Sequence, residues 1–449
     1  MNKTLRIVAC AAAAWLAVLL PLSSAARVQE SSDLADSIAA RRLTLPEAVS
    51  LALQNNREIL MAQVAVSRAE AGHQEAQAVF RPQVLLGSGL AATRGFPLSI
   101  EGSAPSIFQV ATSQALFNPS LRNLEKQAAE MQLSAEQSLE QKRDEMVTRT
   151  ILTYLDLDRS RRSLDYAQGQ ARSLEAAAGI MQERLEAGLE TPVEATRARL
   201  NAARARQQLV ALENRIGMLA FTLRDLTGIP QSQAVLTEQT EVPATEIDEP
   251  LERWIARALD SNPGIKAVEQ EIRGLEFRVR SEQATRWPRV NLVGQYGLFS
   301  DINNFSDFFQ RFERNNATFG VSIVVPLYDR ARHTAQLSKA EAELADARYR
   351  LAAARAGLER QVRELWAAIE QQGQGAGREV VRLELDLARR SLDAQLALYE
   401  QGRVNRLAVE QARFAENESW VRFFEAAYRE DTARLELLRL TGQIRSLFP

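Results

Sequence analysis

Cysteine is almost absent from this sequence: the only one, Cys10, lies inside an apolar run near the start. With no second cysteine the chain closes no internal disulfide, and an oxidising compartment offers it none. A lipid-acceptor cysteine would follow such a run rather than sit within it, so lipidation is not expected. Histidine is nearly as scarce. His73 and His333 are far apart in polar helical stretches, and both read as solvated surface rather than metal ligands. Cys pairs, Gly-rich phosphate loops, His-Glu zinc motifs and nucleophile–base pairings are missing too, so neither enzyme chemistry nor a cofactor is expected. Charge of one sign is also lacking. The 55 Lys+Arg against 57 Asp+Glu leave a net −2, which argues against nucleic acid as partner. Beyond residue 26 no stretch approaches the about 18 uninterrupted apolar residues of a transmembrane helix, so strands must make any membrane crossing.

What is present begins with a leader. Lys3 and Arg6 form a positive start, Ile7 to Leu20 an apolar run, and Leu22 to Ala26 a small-residue cleavage site. Residues 1–26 therefore read as a cleaved signal peptide, the alternative being an uncleaved anchor.

The remainder is a duplication. Leu45, Ala52, Leu53, Asn56, Ile59 and Pro82 recur in step as Leu251, Ala258, Leu259, Asn262, Ile265 and Pro288. Later landmarks recur at a larger offset: Glu186, Gly188 and Leu226-Thr227-Gly228 match Glu400, Gly402 and Leu440-Thr441-Gly442. Loop insertions after duplication leave that drift. The two units span 27–237 and 251–449, with an acidic, Pro-containing linker at 238–250. Each is about half the chain, too long for a solenoid repeat.

Each unit reads helix, strand, strand, long helix, tip, shorter helix. In the first, the expected helices are Leu45–Phe80, Pro119–Ala187 and Pro192–Leu226, with strands Gln83–Ala92 and Ile107–Phe117. In the second, strands Arg289–Phe299 and Ala317–Leu327 precede helices Arg330–Gln401 and Arg406–Leu440. Alternation is cleanest in Phe319, Val321, Ile323, Val325 and Leu327. At about ten residues each, the strands have the length of a tilted membrane strand, or belong to a small soluble sheet. The helices carry heptads: Leu337, Leu344, Leu351, Leu358 and Leu365; Ala195, Ala202, Leu209, Ile216 and Leu223; Leu407, Phe414, Val421, Tyr428 and Leu435. Sustained seven-residue spacing implies left-handed coiled-coil packing. The long helices would each run about 100 Å. Gly373 to Gly377 interrupt one of them without a counterpart in the first unit. Phe305, Phe308, Phe309 and Phe312 crowd the loop between the last two strands, where they either plug a mouth or rest at a membrane interface.

Two turns organise the rest. Gly188 closes one helix as a left-handed residue; Thr191 caps the next, with Pro192 at its first position and Glu194 reaching back as a capping box. Gly402 and Asn405 repeat the stop and the cap. Both turns are tips of long helical hairpins.

Four strands close no barrel, and an open sheet edge does not face lipid, so other copies must supply strands. Two copies give eight strands and a filled interior; three give twelve and a water path, though closure alone does not choose three over four.

The ordered motifs resemble the TolC family of outer-membrane efflux proteins over nearly the whole sequence after the leader. They are Leu-x-x-Ala-x-x-Leu-Ala-x-x-Asn from Leu45 to Asn55, Arg-Pro-x-Val from Arg81, and Gln-Ala-Leu-Phe-Asn from Gln114. Val-Pro-Leu-Tyr-Asp from Val325, the two Gly tips and the paired Leu-Thr-Gly endings complete the set. The resemblance implies a mainly α fold carrying a membrane β-barrel. A homotrimer would build a twelve-stranded outer-membrane barrel on a long periplasmic coiled-coil α-barrel. It would serve as a passive channel in a tripartite efflux or type I secretion system, with a periplasmic adaptor, an inner-membrane transporter and outer-membrane lipid as partners. The rival reading is a soluble periplasmic coiled-coil scaffold or adaptor.

In that family, polar links between neighbouring hairpins hold the periplasmic entrance shut. The matching positions here are Glu194 and Tyr399. The family's basic position falls on Val404, flanked by Arg403 and Arg406. Its second-tip acidic positions fall on Ala408 and Gln411, with Glu410 between, so that acidic pair is missing. The expected gate is therefore Glu194, Tyr399, Arg403 and Arg406. The plainer alternative makes Glu194 only a cap and the arginines solvated. Gly188, Leu189, Thr191, Pro192, Gly402, Val404 and Asn405 form the expected adaptor-docking tips.

Overall fold

The computed structural model describes residues 41–89, 106–238, 249–299, 315–328, 330–371 and 376–447. In chain order the first unit is β1 (Arg41–Leu43), α1 (Leu45–Asn55), α2 (Arg57–Ala78), β2 (Gln83–Gly89), β3 (Ser106–Phe117), α3 (Pro119–Glu186), α4 (Pro192–Thr227) and β4 (Val235–Thr237). The second is α5 (Leu251–Ser261), α6 (Pro263–Ala284), β5 (Arg289–Phe299), β6 (Asn315–Val324), α7 (Arg330–Gln371), α8 (Ala376–Glu400) and α9 (Arg406–Leu440), ending in a short 3-10 turn at Ile444–Leu447.

The helix expected from Leu45 to Phe80 is two helices, broken at Asn56. That residue is extended (φ −66°, ψ 126°), and its side chain caps α2 by accepting from the Glu58 and Ile59 N–H groups. Asn262 breaks the second unit in the same way, capping α6 at the Ile265 N–H with Pro263 in the first helical position. Both caps were visible as repeat landmarks. Their role depends on a distant partner: the Asn56 and Asn262 carboxamides donate to the Leu226 and Leu440 carbonyls at the ends of α4 and α9.

The lengths agree with a two-row rod. α1, α2 and α4, of 11, 22 and 36 residues, lie along the 68 residues of α3, which at 1.5 Å per residue is about 100 Å. In the second unit α5, α6 and α9, of 11, 22 and 35 residues, correspond to α7 and α8 of 42 and 25. The single run expected there is thus described as two helices, and residues 372–375, with Gly373 and Gly375, lie outside the described residues.

The heptad positions point inward. Ala195, Ala202, Leu223, Leu344, Leu358 and Leu435 are buried, and the remaining seam residues are half-buried. The largest core sits at mid-rod. There Leu43, Leu45, Val147, Ile151, Tyr154, Trp254, Leu358, Val362, Leu437 and Ile444 join both units. A parallel pairing of β1 with β4, which no sequence pattern announced, closes this belt. Tyr154, fully buried, donates its hydroxyl to the Leu43 carbonyl at 2.7 Å and accepts the Glu238 N–H at 2.9 Å.

The four longer strands form one antiparallel sheet in the order β2-β3-β5-β6. Residues opposite each other share a face. Leu86, Val110, Tyr296 and Ala317 make one row, with Val84, Thr112, Gly294 and Phe319 beside it. On the other face Gly87, Gln109, Gly297 and Asn316 align, as do Leu85, Ala111, Gln295 and Thr318. One face is thus mainly apolar and exposed, with Leu86 at 76% and Phe319 at 77%, while the other is mainly small and polar. Among the described residues β2 and β6 each have one neighbour. β6 stops at Val324 rather than Leu327, because Pro326 has no N–H to continue the ladder. The ends expected for β2 at Leu90 to Ala92, the Phe305–Phe312 loop, the leader and most of the 238–250 linker lie outside the described residues.

The histidines correct one expectation. His73 is half-buried between Gln132 and Gln77, each 3.0 Å from a ring nitrogen. His333 is 8% exposed, with Nδ1 2.9 Å from Thr285 Oγ1. It reads as polar by its neighbours in sequence, but the first turn of α7 lies against the end of α6.

Candidate functional site: the two hairpin tips

Each tip is built by a glycine that only a left-handed backbone satisfies. Gly188 has φ 70° and Gly402 φ 68°. At the first tip the Gly188 N–H reaches the Leu185 carbonyl at 3.0 Å and the Leu189 N–H the Arg184 carbonyl at 2.8 Å. At the second, Gly402 bonds Tyr399 and Arg403 bonds Leu398, both at 2.9 Å. This is the Schellman pattern twice over. Outgoing caps follow: Thr191 Oγ1 accepts the Glu194 N–H at 3.2 Å, and Asn405 Oδ1 the Ala408 N–H at 3.0 Å. Pro192 occupies the first turn of α4.

The side chains complete the picture differently from the sequence reading. Glu194 does not close a capping box. Its carboxylate takes Arg197 at 2.6 Å, and the Thr191 N–H is met by Glu190 Oε1 at 3.3 Å. Glu190 also lies 3.5 Å from Arg184, so the first tip is internally ion-paired. On the second, Glu410 is 6% exposed between Arg413 at 3.7 Å and Arg406 at 4.0 Å. Sequence reasoning passed over Glu410 because its burial comes from packing, not from its heptad neighbours. Arg403 and Tyr399 stay exposed, and Val404 is half-buried. Within one chain no hydrogen bond or ion pair joins Glu194, Tyr399, Arg403 and Arg406 to one another.

The tips are nevertheless neighbours. α4 and α9 both pack on α3. Between the three runs a cleft of about 550 Å³ is lined by Glu194, Arg197 and Asn201 on one side and Leu407, Gln411 and Phe414 on the other. Leu189 and Val193, 69% and 65% exposed, leave apolar surface on the first tip.

Farther up, two acids lie close together on α3, Asp156 buried and Asp158 half-buried. Asp156, 6% exposed, is held by Arg159 at 2.6 Å and Arg215 at 2.8 Å. Burial pushes the Asp158 carboxyl above its ordinary value against the pull of Arg162. Burial likewise lowers the Arg161 guanidinium, which donates to the Val235 carbonyl at 2.6 Å and so clamps β4. These groups join secondary structure and present no open reaction centre. Among the described residues no cluster of three His, Cys, Asp or Glu side chains is placed to hold a metal.

A family model described as outer membrane efflux protein matches residues 48–228 and 254–443, one stretch in each repeat. Protein CyaE of Bordetella pertussis is 26% identical over 313 residues, covering 68% of this chain and 65% of CyaE. Outer membrane efflux protein BepC of Brucella suis is 20% identical over 348 residues, 77% of this chain and 74% of BepC. Among solved structures, the outer membrane protein VceC from Vibrio cholerae superposes with TM-score 0.69 at 18% identity, covering 89% of this chain and 96% of VceC. That likeness is one of fold.

Proposed function

From the premise that this chain belongs to the outer membrane efflux protein family, we propose that it is the outer-membrane channel subunit of a tripartite efflux or type I secretion system. It acts as a passive conduit, fed by an inner-membrane transporter through a periplasmic adaptor. The observation that carries this is the two-faced sheet, whose end strands β2 and β6 each have one free edge among the described residues. An apolar outer row and a polar inner row are what a wall between lipid and water requires, and the free edges require partners.

The helical layer is open on the same two sides. α2 and α4 end one side, with Met61, Val64, Val210 and Met218 exposed. α7 and α8 end the other, with Tyr349, Val380, Leu383 and Leu387 exposed. A cyclic assembly joins the first side of each copy to the second side of the next, which is a heterologous, ring-closing interface. Three copies supply twelve strands around a water-filled bore and bring six hairpin tips to one end. That end faces the periplasm, where the tips, from Gly188 to Pro192 and from Gly402 to Asn405, receive the adaptor. Glu194, Tyr399, Arg403 and Arg406 then link neighbouring hairpins and close the entrance. Localisation follows from the same reading: strands in the outer membrane, helices in the periplasm, export by the N-terminal leader.

The soluble scaffold is disfavoured by the apolar face that carries Leu86 and Phe319, which water would meet on a freely soluble chain. The deciding experiment extracts the protein from outer membranes in mild detergent and measures its mass by light scattering, then its conductance in planar bilayers. A trimer that forms a channel supports the reading. A monomer recovered without detergent overturns it.

A further inference from the structure

At the foot of the sheet, a cleft of about 770 Å³ lies where the end of α6 meets the starts of α3 and α7. Its wall carries Arg286, Arg289, Arg330 and Arg332. No ion pair engages any of these four among the described residues, although most other arginines of the rod are paired along or between helices. None of the described lining residues is a carboxylate. Asp329, outside the described residues, brings one negative charge in sequence, and the segment remains basic. Two helices also begin at this cleft, α3 at Pro119 and α7 at Arg330, and their N-terminal ends add positive potential. The wall is not floppy. His333 is buried with its ring on Thr285, and Ser120 lies 3.0 Å from Ser281, so the three helix ends are fixed to one another.

Beside this positive wall the surface is strongly apolar. Leu327 is 92% exposed, Tyr328 95% and Trp287 59%. A Trp and a Tyr at the end of a membrane sheet, next to basic side chains, form the boundary where acyl chains meet headgroups. We infer that this cleft binds the phosphate of an anionic phospholipid of the periplasmic-side leaflet, one site per chain. The arginines hold the phosphate while Leu327 and Tyr328 lie along the acyl region. This rests on the channel reading, since it needs the sheet to be in a bilayer.

The test uses the full mature protein as purified, reconstituted into nanodiscs of phosphatidylcholine with one-fifth phosphatidylglycerol. Retained lipid is counted by native mass spectrometry after gentle detergent transfer. Arg289→Gln with Arg332→Gln is compared with Arg68→Gln with Arg199→Gln, which removes equal charge from exposed positions away from the cleft. Near a membrane surface each basic side chain is worth about fivefold in affinity. The cleft variant should therefore lose most of its retained phosphatidylglycerol, and the control should keep it. Equal retention in both variants overturns the site. Displacement of the lipid by millimolar inorganic phosphate overturns the lipid as occupant and leaves a free-anion site. An altered anion-to-cation permeability with unchanged lipid retention places the arginines in the bore and overturns it likewise. Failure to enter nanodiscs as a trimer counts instead against the channel reading.

Discussion

The Asn56 carboxamide donates to the Leu226 carbonyl at 3.2 Å, and Asn262 donates to the Leu440 carbonyl at 3.0 Å. One residue thus caps the helix it begins and also satisfies a free carbonyl at the end of another helix about 170 positions away, as the 170 and 178 residue separations record. Gly228 and Gly442, with φ 72° and 68°, let the chain turn away beside the bond. Asn56→Ala removes two cap bonds and strands a buried carbonyl, a loss of about 2–4 kcal/mol. Asn262→Ala, at a half-buried site with one cap bond, should cost about half as much. Thermal dissociation of the purified oligomer in detergent should rank them in that order; equal midpoints would show that the junction bonds are dispensable.

Gly402→Ala places a Cβ on a backbone of φ 68°, a strain of about 1 kcal/mol or more. No atom lies within 4 Å of that Cβ, so the cost is conformational and stays at the tip. The oligomer should therefore melt as wild type does, while limited proteolysis between Tyr399 and Arg406 quickens. Gly228→Ala should behave in the opposite way, because its Cβ would meet Asn55 Cβ at 2.7 Å in the packed junction.

Much of this was legible in the sequence because it is written locally. Gly188, Thr191, Pro192, Gly402 and Asn405 declare stops and starts within a few residues, and the seven-residue rows of Leu and Ala declare the packed seam. What escaped depends on distant partners. The break at Asn56 needs Leu226 to make sense. The β1–β4 ladder is three residues long on each side and joins Arg41 to Val235 across the whole unit. His333 and Glu410 look solvated among their charged neighbours, and only the approach of another helix buries them. The expected capping box at Glu194 failed for a related reason. The motif was correct, but Arg197, one turn on, is the stronger partner for a carboxylate.

The gate proposal makes a prediction that its plainer alternative does not share. If Glu194 acts only on Arg197 and the α4 terminus, Glu194→Gln should lower stability by a few tenths of a kcal/mol and leave conductance alone. If it links hairpins in the assembled channel, Glu194→Gln and Arg406→Gln should each raise single-channel conductance in planar bilayers. The pair should then add less than the sum of the two. Unchanged conductance in both single variants would sink the gate as drawn.

Asp144 supplies a pH test of how the end of the chain is fastened. The Arg445 guanidinium, on the last 3-10 turn, ion-pairs with Glu140 and lies 2.6 Å from Asp144 Oδ1. That contact is off the hydrogen-bond direction, since both Asp144 oxygens are buried without a hydrogen-bond partner. Burial pushes the Asp144 carboxyl above its ordinary value of 3.8, and the charge of Arg445 only partly opposes it. A carboxyl that is harder to ionise when folded favours the folded state at low pH. That advantage disappears as pH rises from 3.8 through the raised folded value. Asp144→Asn cannot titrate and keeps the neutral form's shape. The melting temperature of wild type minus that of Asp144→Asn should therefore fall as pH climbs from about 4 and then level off once Asp144 is ionised in both states. A difference that instead grows with pH would mean that Arg445, rather than burial, sets the charge of Asp144, and that the turn is held by a salt bridge.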